Sequence, residues 1–251
     1  MNLLTSRKSW LTAPVVALVG FATILLLWSV TDPRAFITWF DAGDVFSPVE
    51  WMTLPLFGLI VPLVWLCPPQ SGSARRQCAW SALWMALGVI AINRETDLHK
   101  MAFAQIWPDI ANDFSGTVFK MRFLRAGDIP FAPKLFVLAF FIVFFAAAVI
   151  PLIKYFIPLF RGFFKFEPVA WSAATFGAVS TFVLVIDRLP AKLDDWGIVN
   201  LKAPGHEAGH ALCAALEEGA EMIMASLALL ALLQSYLLFV HKDEGGEQNH
   251  L

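Results

Sequence analysis

Apolar residues come in long runs along this chain, and ionisable residues collect at the ends of those runs. A helix needs about 20 apolar residues to cross a bilayer. Six segments approach that length, at about 10–30, 49–67, 79–103, 134–160, 169–190 and 205–240. The hydrophobic part of the third stops at Asn93, so it reaches spanning length only by carrying Arg94 to Lys100 along as its last turns. Between the third and fourth segments, Ala104 to Arg125 sets Trp107, Phe114, Val118, Phe119 and Phe123 against Lys120, Arg122 and Arg125. Such a segment lies on a membrane rather than through it, with its basic side toward lipid phosphates; a brace packed on the bundle is the equal alternative. The predicted fold is all-α: a polytopic membrane protein with six transmembrane helices and an interfacial amphipathic helix between the third and fourth, forming a single bundle over residues 1–251.

Composition supports the same class, with 58% apolar and 15% charged residues in 251, well outside the soluble range. The first segment follows Arg7 and Lys8, exceeds the core length of a signal peptide, and has no small-x-small site after it, so it reads as an uncleaved signal anchor. A net charge of −2 without a basic tail excludes nucleic acid as a partner; the partners expected are membrane lipids and other membrane-protein subunits. Cys67, Cys78 and Cys213 show no framework spacing, which argues against structural disulfides. The short loops carry Arg75 with Arg76 and Arg161 with Lys165. The positive-inside rule then predicts both termini in the cytoplasm, and the expected location is a bacterial inner membrane. In that arrangement most carboxylates fall at the outer ends of the helices.

Within the last segment, His206, His210, Cys213, Glu217 and Glu221 fall inside one arc of roughly 80° at 100° per residue. This polar stripe runs straight into an apolar span. Ionisable groups are costly in lipid and mark functional sites by default. Glu50, then Glu95 with Asp97 and His99, then Asp187 with Arg188, open or close other helices at the same predicted end. His206-Glu207-Ala208-Gly209-His210 is an HExxH string, in which histidines at i and i+4 bind one zinc and the glutamate polarises the bound water. His99 is a candidate third imidazole, with Glu95 or Glu217 as carboxylate ligand or base. The bland readings are specific too. His206 and His210 read as loop or cap histidines, Cys213 as a packed small residue, and Asp187 to Pro190 as a helix end before proline. Glu217, Glu218 and Glu221 would pair with Arg94, Lys100, Arg188 or Lys192, Asp97 and Asp187 completing the network.

Three resemblances bear on these residues. His206 to Leu216, HEAGHALCAAL, resembles the zinc helix of membrane-anchored and intramembrane metallopeptidases over about ten residues, which implies peptide hydrolysis at zinc. His99 with His206 and His210 resembles the alkaline ceramidase superfamily, which implies a zinc that hydrolyses a lipid amide. Glu50-Trp51, the run Arg94 to Lys100, Asp187 with Lys192, and Leu216-Glu217-Glu218 with Glu221 resemble an uncharacterised family of bacterial multi-pass inner-membrane proteins. That likeness implies a site built from carboxylates and His99, with His206 and His210 incidental. The leading expectation is a metal-dependent hydrolase of a lipid or peptide: His206, His210 and His99 hold the metal, and Glu207, Glu95 or Glu217 is the base. The alternative is a non-catalytic scaffold or assembly subunit held by ion pairs, and the third a proton-coupled transporter. Against transport stands the lack of an internal repeat.

Overall fold

A computed structural model of the chain describes residues 4, 8–41, 47–66, 88, 89, 92, 98–113, 119, 121–201 and 203–247. These form helices α1 (Thr12–Val30, preceded by a 3-10 turn at Ser9–Leu11), α2 (Pro33–Phe40), α3 (Pro48–Leu66), α4 (Leu98–Ile106), α5 (Pro108–Asp113), α6 (Met121–Arg125), α7 (Phe131–Phe164), α8 (Pro168–Asp195) and α9 (Glu207–Glu247). No strand occurs among the described residues.

Local chemistry explains where several of these helices begin. The Asp32 side chain accepts hydrogen bonds from the Arg34 and Ala35 N–H groups at 2.9 and 3.2 Å, and Pro33 occupies the first turn of α2. This satisfies donors that the helix itself leaves open. At α3 the Ser47 hydroxyl accepts from the Glu50 N–H at 3.2 Å while the Glu50 carboxylate accepts from the Ser47 N–H, a reciprocal capping box. Glu50 therefore starts a helix.

Three helices among the described residues are long and apolar enough to cross a membrane: Ser9–Val30, Pro168–Asp195 and Glu207–Leu238. They match three of the six expected spans, and they are compatible with a membrane location. The expected spans at 49–67 and 134–160 are helices, α3 and α7, with shorter apolar stretches at Pro48–Ile60 and Phe131–Val143. Most of the expected third span lies outside the described residues. The single amphipathic helix expected over 104–125 is instead divided among the end of α4, α5 and α6. Pro108 is a physical reason for the first break: it lacks an N–H, disfavours helix in the preceding residue, and suits a first turn. A second correction concerns Pro190, where a helix end was expected. Helix α8 runs through it to Asp195. A proline removes one backbone bond, and a helix held on its other turns absorbs that loss.

Helix α9 is the centre of the bundle. Half of its apolar window is buried, against 28% for α8 and 17% for α1. Its small residues make this possible. Ala211, Ala215, Ala220, Ala225, Ala228 and Ala231 are all buried, and small side chains let helix backbones approach closely. α1, α2, α3 and α8 surround it, with Ala13, Ala17, Ile24, Phe36, Phe40, Val179 and Val183 meeting its upper half. Phe57 and Ile60 of α3 meet Ala225, Ala228 and Leu232 further along. The contact with α1 is interlocked. A Cβ on Gly20 would stand 2.7 Å from Ile223 Cδ1, and one on Gly219 would run into Ile24 Cδ1.

α1 runs antiparallel to α9, as two polar ties show. At one end the Trp28 indole N–H donates to the Ala208 carbonyl at 3.0 Å. At the other, buried Gln234 accepts from the Ser172 hydroxyl at 2.7 Å and donates to the Ser9 carbonyl at 3.4 Å. Trp10 packs there against Phe166 and Trp171, beside the tight turn between α7 and α8. A separate aromatic cluster gathers Phe103 of α4, Phe123 of α6 and Val137 of α7, with Phe119 and Phe136 against it.

Candidate functional site

The site is built on the first four turns of α9. Gly205, with φ of +91°, makes the turn that aims the chain into the helix, a backbone region glycine enters without steric cost. His206 follows as the capping position: its carbonyl accepts the first helical bond, from the His210 N–H at 3.1 Å, and its residue surface is exposed. Glu207 uses one carboxylate oxygen to accept from the Gly205 N–H at 3.0 Å and the other to face the Arg34 guanidinium of α2 at 3.5 Å. Both functions fasten the head of α9, to its own turn and to α2.

Beyond this head, His210, Cys213, Ala214 and Glu217 face a cavity of about 430 Å³. Asp187, Pro190, Ala191 and Asp194 of α8, Asn200 and Leu201 of the α8–α9 connection, and Asp41 at the end of α2 complete its lining. Four carboxylates and one imidazole thus converge from three parts of the chain. Among the described residues no lysine or arginine lines it. Lys192, five residues after Asp187 on α8, pairs instead with Asp195 at 3.1 Å on the exposed surface. Asp41, Asp187 and Asp194 are exposed and Glu217 is half-buried, and carboxylates gathered on one concave surface add up to a negative potential in the space between them.

Part of the stripe predicted from the sequence therefore lines one cavity and part does not. His210, Cys213 and Glu217 line the cavity, and Asp187 joins them from α8. Glu221, one turn deeper, is enclosed at 3% exposure, and Glu218 is half-buried beside it. Arg188 is exposed and forms no ion pair with a described residue. Arg94, Glu95 and Asp97 lie outside the described residues. Lys100 is exposed on α4.

The expected zinc triad does not assemble. The His99 ring is stacked on Phe140, with centroids 4.9 Å apart, and meets Phe119 edge-on at 4.4 Å. His206 is on the exposed turn, and no group of three or more His, Cys, Asp or Glu among the described residues is placed to hold a metal ion. The reason is local. His206 ends the turn before α9 and His210 lies a full turn inside the helix, while His99 is held among aromatic rings.

Asp41, Asp194, Asn200 and Leu201 were not singled out from the sequence. Asp41 stands just past α2 and Asp194 near the end of α8, where an acid reads as an ordinary helix-end residue. Only the closure of α2 and α8 against α9 turns them toward one space. Family models, curated proteins and solved structures were all compared with this chain, and none matches it.

Proposed function

We propose that this protein is a multi-pass membrane protein of the bacterial inner membrane that binds a small organic cation, an amine or quaternary ammonium group, in the cavity at the head of α9. The observation that carries the reading is the convergence of Asp41, Asp187, Asp194 and Glu217 with His210 on a single cavity with no lysine or arginine in its described lining. Its volume, about 430 Å³, falls in the range of small-molecule sites. The carboxylates are spread around the wall and not grouped as ligands of one metal ion, which favours a cation of molecular size over a bare one. Orientation is supported by Arg161 and Lys165, which lie at the turn between α7 and α8 beside the Trp10 end of the bundle, opposite the cavity. With basic residues inside, the cavity faces the periplasm and both termini the cytoplasm.

The ion-pair network expected of a scaffold reaches Arg94 and Asp97, outside the described residues, and the exposed pairs at the head of α9 and on α8 add little to it. Arg34–Glu207 and Lys192–Asp195 have side chains 44–82% exposed, and pairs so exposed contribute about 0–1 kcal/mol. The hydrolase alternative retains His210 and Glu217 as a base and its neighbour, without the three-histidine zinc.

Thermal unfolding of the detergent-solubilised protein in ethanolamine, choline and spermidine tests the reading. A ligand at a hundred times its Kd stabilises by about 2.7 kcal/mol, so at least one of these amines should raise the midpoint clearly. Glu217→Gln and Asp187→Asn should remove most of that rise, and exposed Asp187→Asn should do so with the midpoint without ligand nearly unchanged. An unfolding curve that no amine moves would contradict it.

A further inference from the structure

The geometry points to a binding site for the headgroup of an anionic phospholipid along the last three turns of α7, built from Lys154, Arg161 and Lys165. The site rests on the membrane placement of α7 and not on the cation cavity. From Leu135 to Ile153 this helix runs 19 residues without a charge. At 1.5 Å per residue that is about 28 Å, close to the roughly 30 Å of a hydrocarbon layer. Lys154 therefore stands where that layer ends, on the side of the turn into α8, and α7 continues past it for about 16 Å.

On this last part the side chains are sorted by face. Steps of seven and four place Lys154, Arg161 and Lys165 within an arc of roughly 40°, and all three are exposed. α7 contains no acidic residue, and none of the three cations forms an ion pair with a described residue. Glu167, beyond the turn, lays its carboxylate over Gly162, where a Cβ would stand 2.6 Å from Oε2. Phe156, Ile157, Phe160 and Phe164, each 54–65% exposed, fill an adjoining arc of roughly 100°. A helix with an apolar face beside a basic one rests at the boundary of acyl chains and headgroups. Its Lys and Arg stems cover apolar surface while their charges reach the phosphates.

The turn after α7 fixes this ridge in place. The Glu167 N–H donates to the Gly162 carbonyl at 2.9 Å and the Phe166 N–H to the Phe163 carbonyl at 3.1 Å, the Schellman ending of a helix. Phe166 has φ of +58° at the position where glycine is usual, and a side chain persists there when its surroundings hold it. Its ring meets Trp10 at 5.1 Å and Trp171 at 6.0 Å, and the Trp171 indole N–H donates to the Phe163 carbonyl at 3.0 Å. The end of α7 is thus tied to the starts of α1 and α8, through tryptophans of the kind that gather at membrane interfaces. A zwitterionic headgroup brings its own cation beside its phosphate, whereas an anionic one does not. A row of three cations complements the second.

The full chain in a neutral detergent is equilibrated with equal amounts of phosphatidylglycerol and phosphatidylcholine of the same acyl chains, and the lipids it retains are counted by native mass spectrometry. Phosphatidylglycerol should be retained in preference. A cation near an anionic surface strengthens attachment up to about fivefold, so Lys154→Gln, Arg161→Gln and Lys165→Gln should each lower the preference about two- to fivefold. The triple variant should lose most of it, with an unfolding midpoint in phosphatidylcholine alone equal to that of the wild type. Arg161→Lys should keep the preference. Phe160→Ser with Phe164→Ser should reduce the retention of both lipids and leave their ratio unchanged. Lys100→Gln and Arg188→Gln, which remove exposed cations elsewhere, should change neither. No preference in the wild type would overturn the lipid site and leave the ridge to an acidic protein segment. A preference that survives the triple variant, or that Lys100→Gln and Arg188→Gln lower equally, would overturn it too, since it would then follow total charge and not this ridge.

Discussion

Gly219→Leu is expected to keep the bundle from closing. Ile24 and Phe40 already occupy the space beside Gly219, and a Cβ there would collide with Ile24, which is only 6% exposed. Overpacking a filled interior costs about 1–3 kcal/mol for added methylenes, and a four-carbon side chain at the contact of two helices exceeds that range. Gly219→Ala should be milder, at about 1–3 kcal/mol. Combining it with Ile24→Ala should recover part of the loss, since the second change empties the space the first one fills. Unfolding midpoints of the two single variants and the double variant, compared with the wild type, give the coupling directly. Additive effects would mean that α1 and α9 do not interlock here. The matching contact, Gly20 against Ile223, predicts the same pattern from the α1 side.

Phe103→Ala should have an effect of similar size on a different part of the molecule. Phe103 is 1% exposed, with the rings of Trp107, Phe119, Phe123 and Phe136 around it at centroid distances of 5.1–6.0 Å. Removing a buried phenylalanine side chain costs about 3–5 kcal/mol through lost burial and the space left behind. The loss falls on the cluster of α4, α6 and α7, which is separate from the core around α9. Amide exchange over 98–113 and 121–137 should therefore rise steeply, while exchange in 207–232 stays near its wild-type value. A uniform rise across both regions would show that the two clusters unfold as one unit.

Hydrophobic runs made the helices legible, because a continuous apolar stretch of about 20 residues is a local signal that needs no knowledge of its neighbours. The starts of α3 and α9 and the end of α1 fell within a few residues of expectation. What the pattern did not give is how far a helix continues past its apolar part. Pro190 was read as an end, yet α8 carries two further acids beyond it, and Asp194 reaches the cavity only for that reason. Segment 104–125 erred the other way. Its amphipathic spacing suggested one helix, and Pro108 divides it.

The stripe on α9 was legible from spacing alone, because residues three, four and seven apart share a helix face whatever the surroundings. Its chemistry was harder to read. HExxH requires both histidines to project from a helix, and here His206 caps the helix and Glu207 is engaged with Gly205 and Arg34. The motif spells a helix start as readily as a zinc ligand pair. The opposing carboxylates from α2 and α8 carry no local signal, since what brings them together is contact between distant segments.

The potential inside the cavity is the most direct test of the account. With Cys67→Ser and Cys78→Ser leaving Cys213 as the sole thiol, its modification is timed at low ionic strength with a cationic trimethylammonium-ethyl methanethiosulfonate and with its anionic sulfonatoethyl counterpart. Relative to a small thiol in free solution, the cationic reagent should be favoured on the order of tenfold or more. That preference should fall with Asp187→Asn and with Glu217→Gln, and fall again with added salt. A ratio equal to that of the free thiol, and unmoved by either substitution, would contradict the claim that these carboxylates share one cavity.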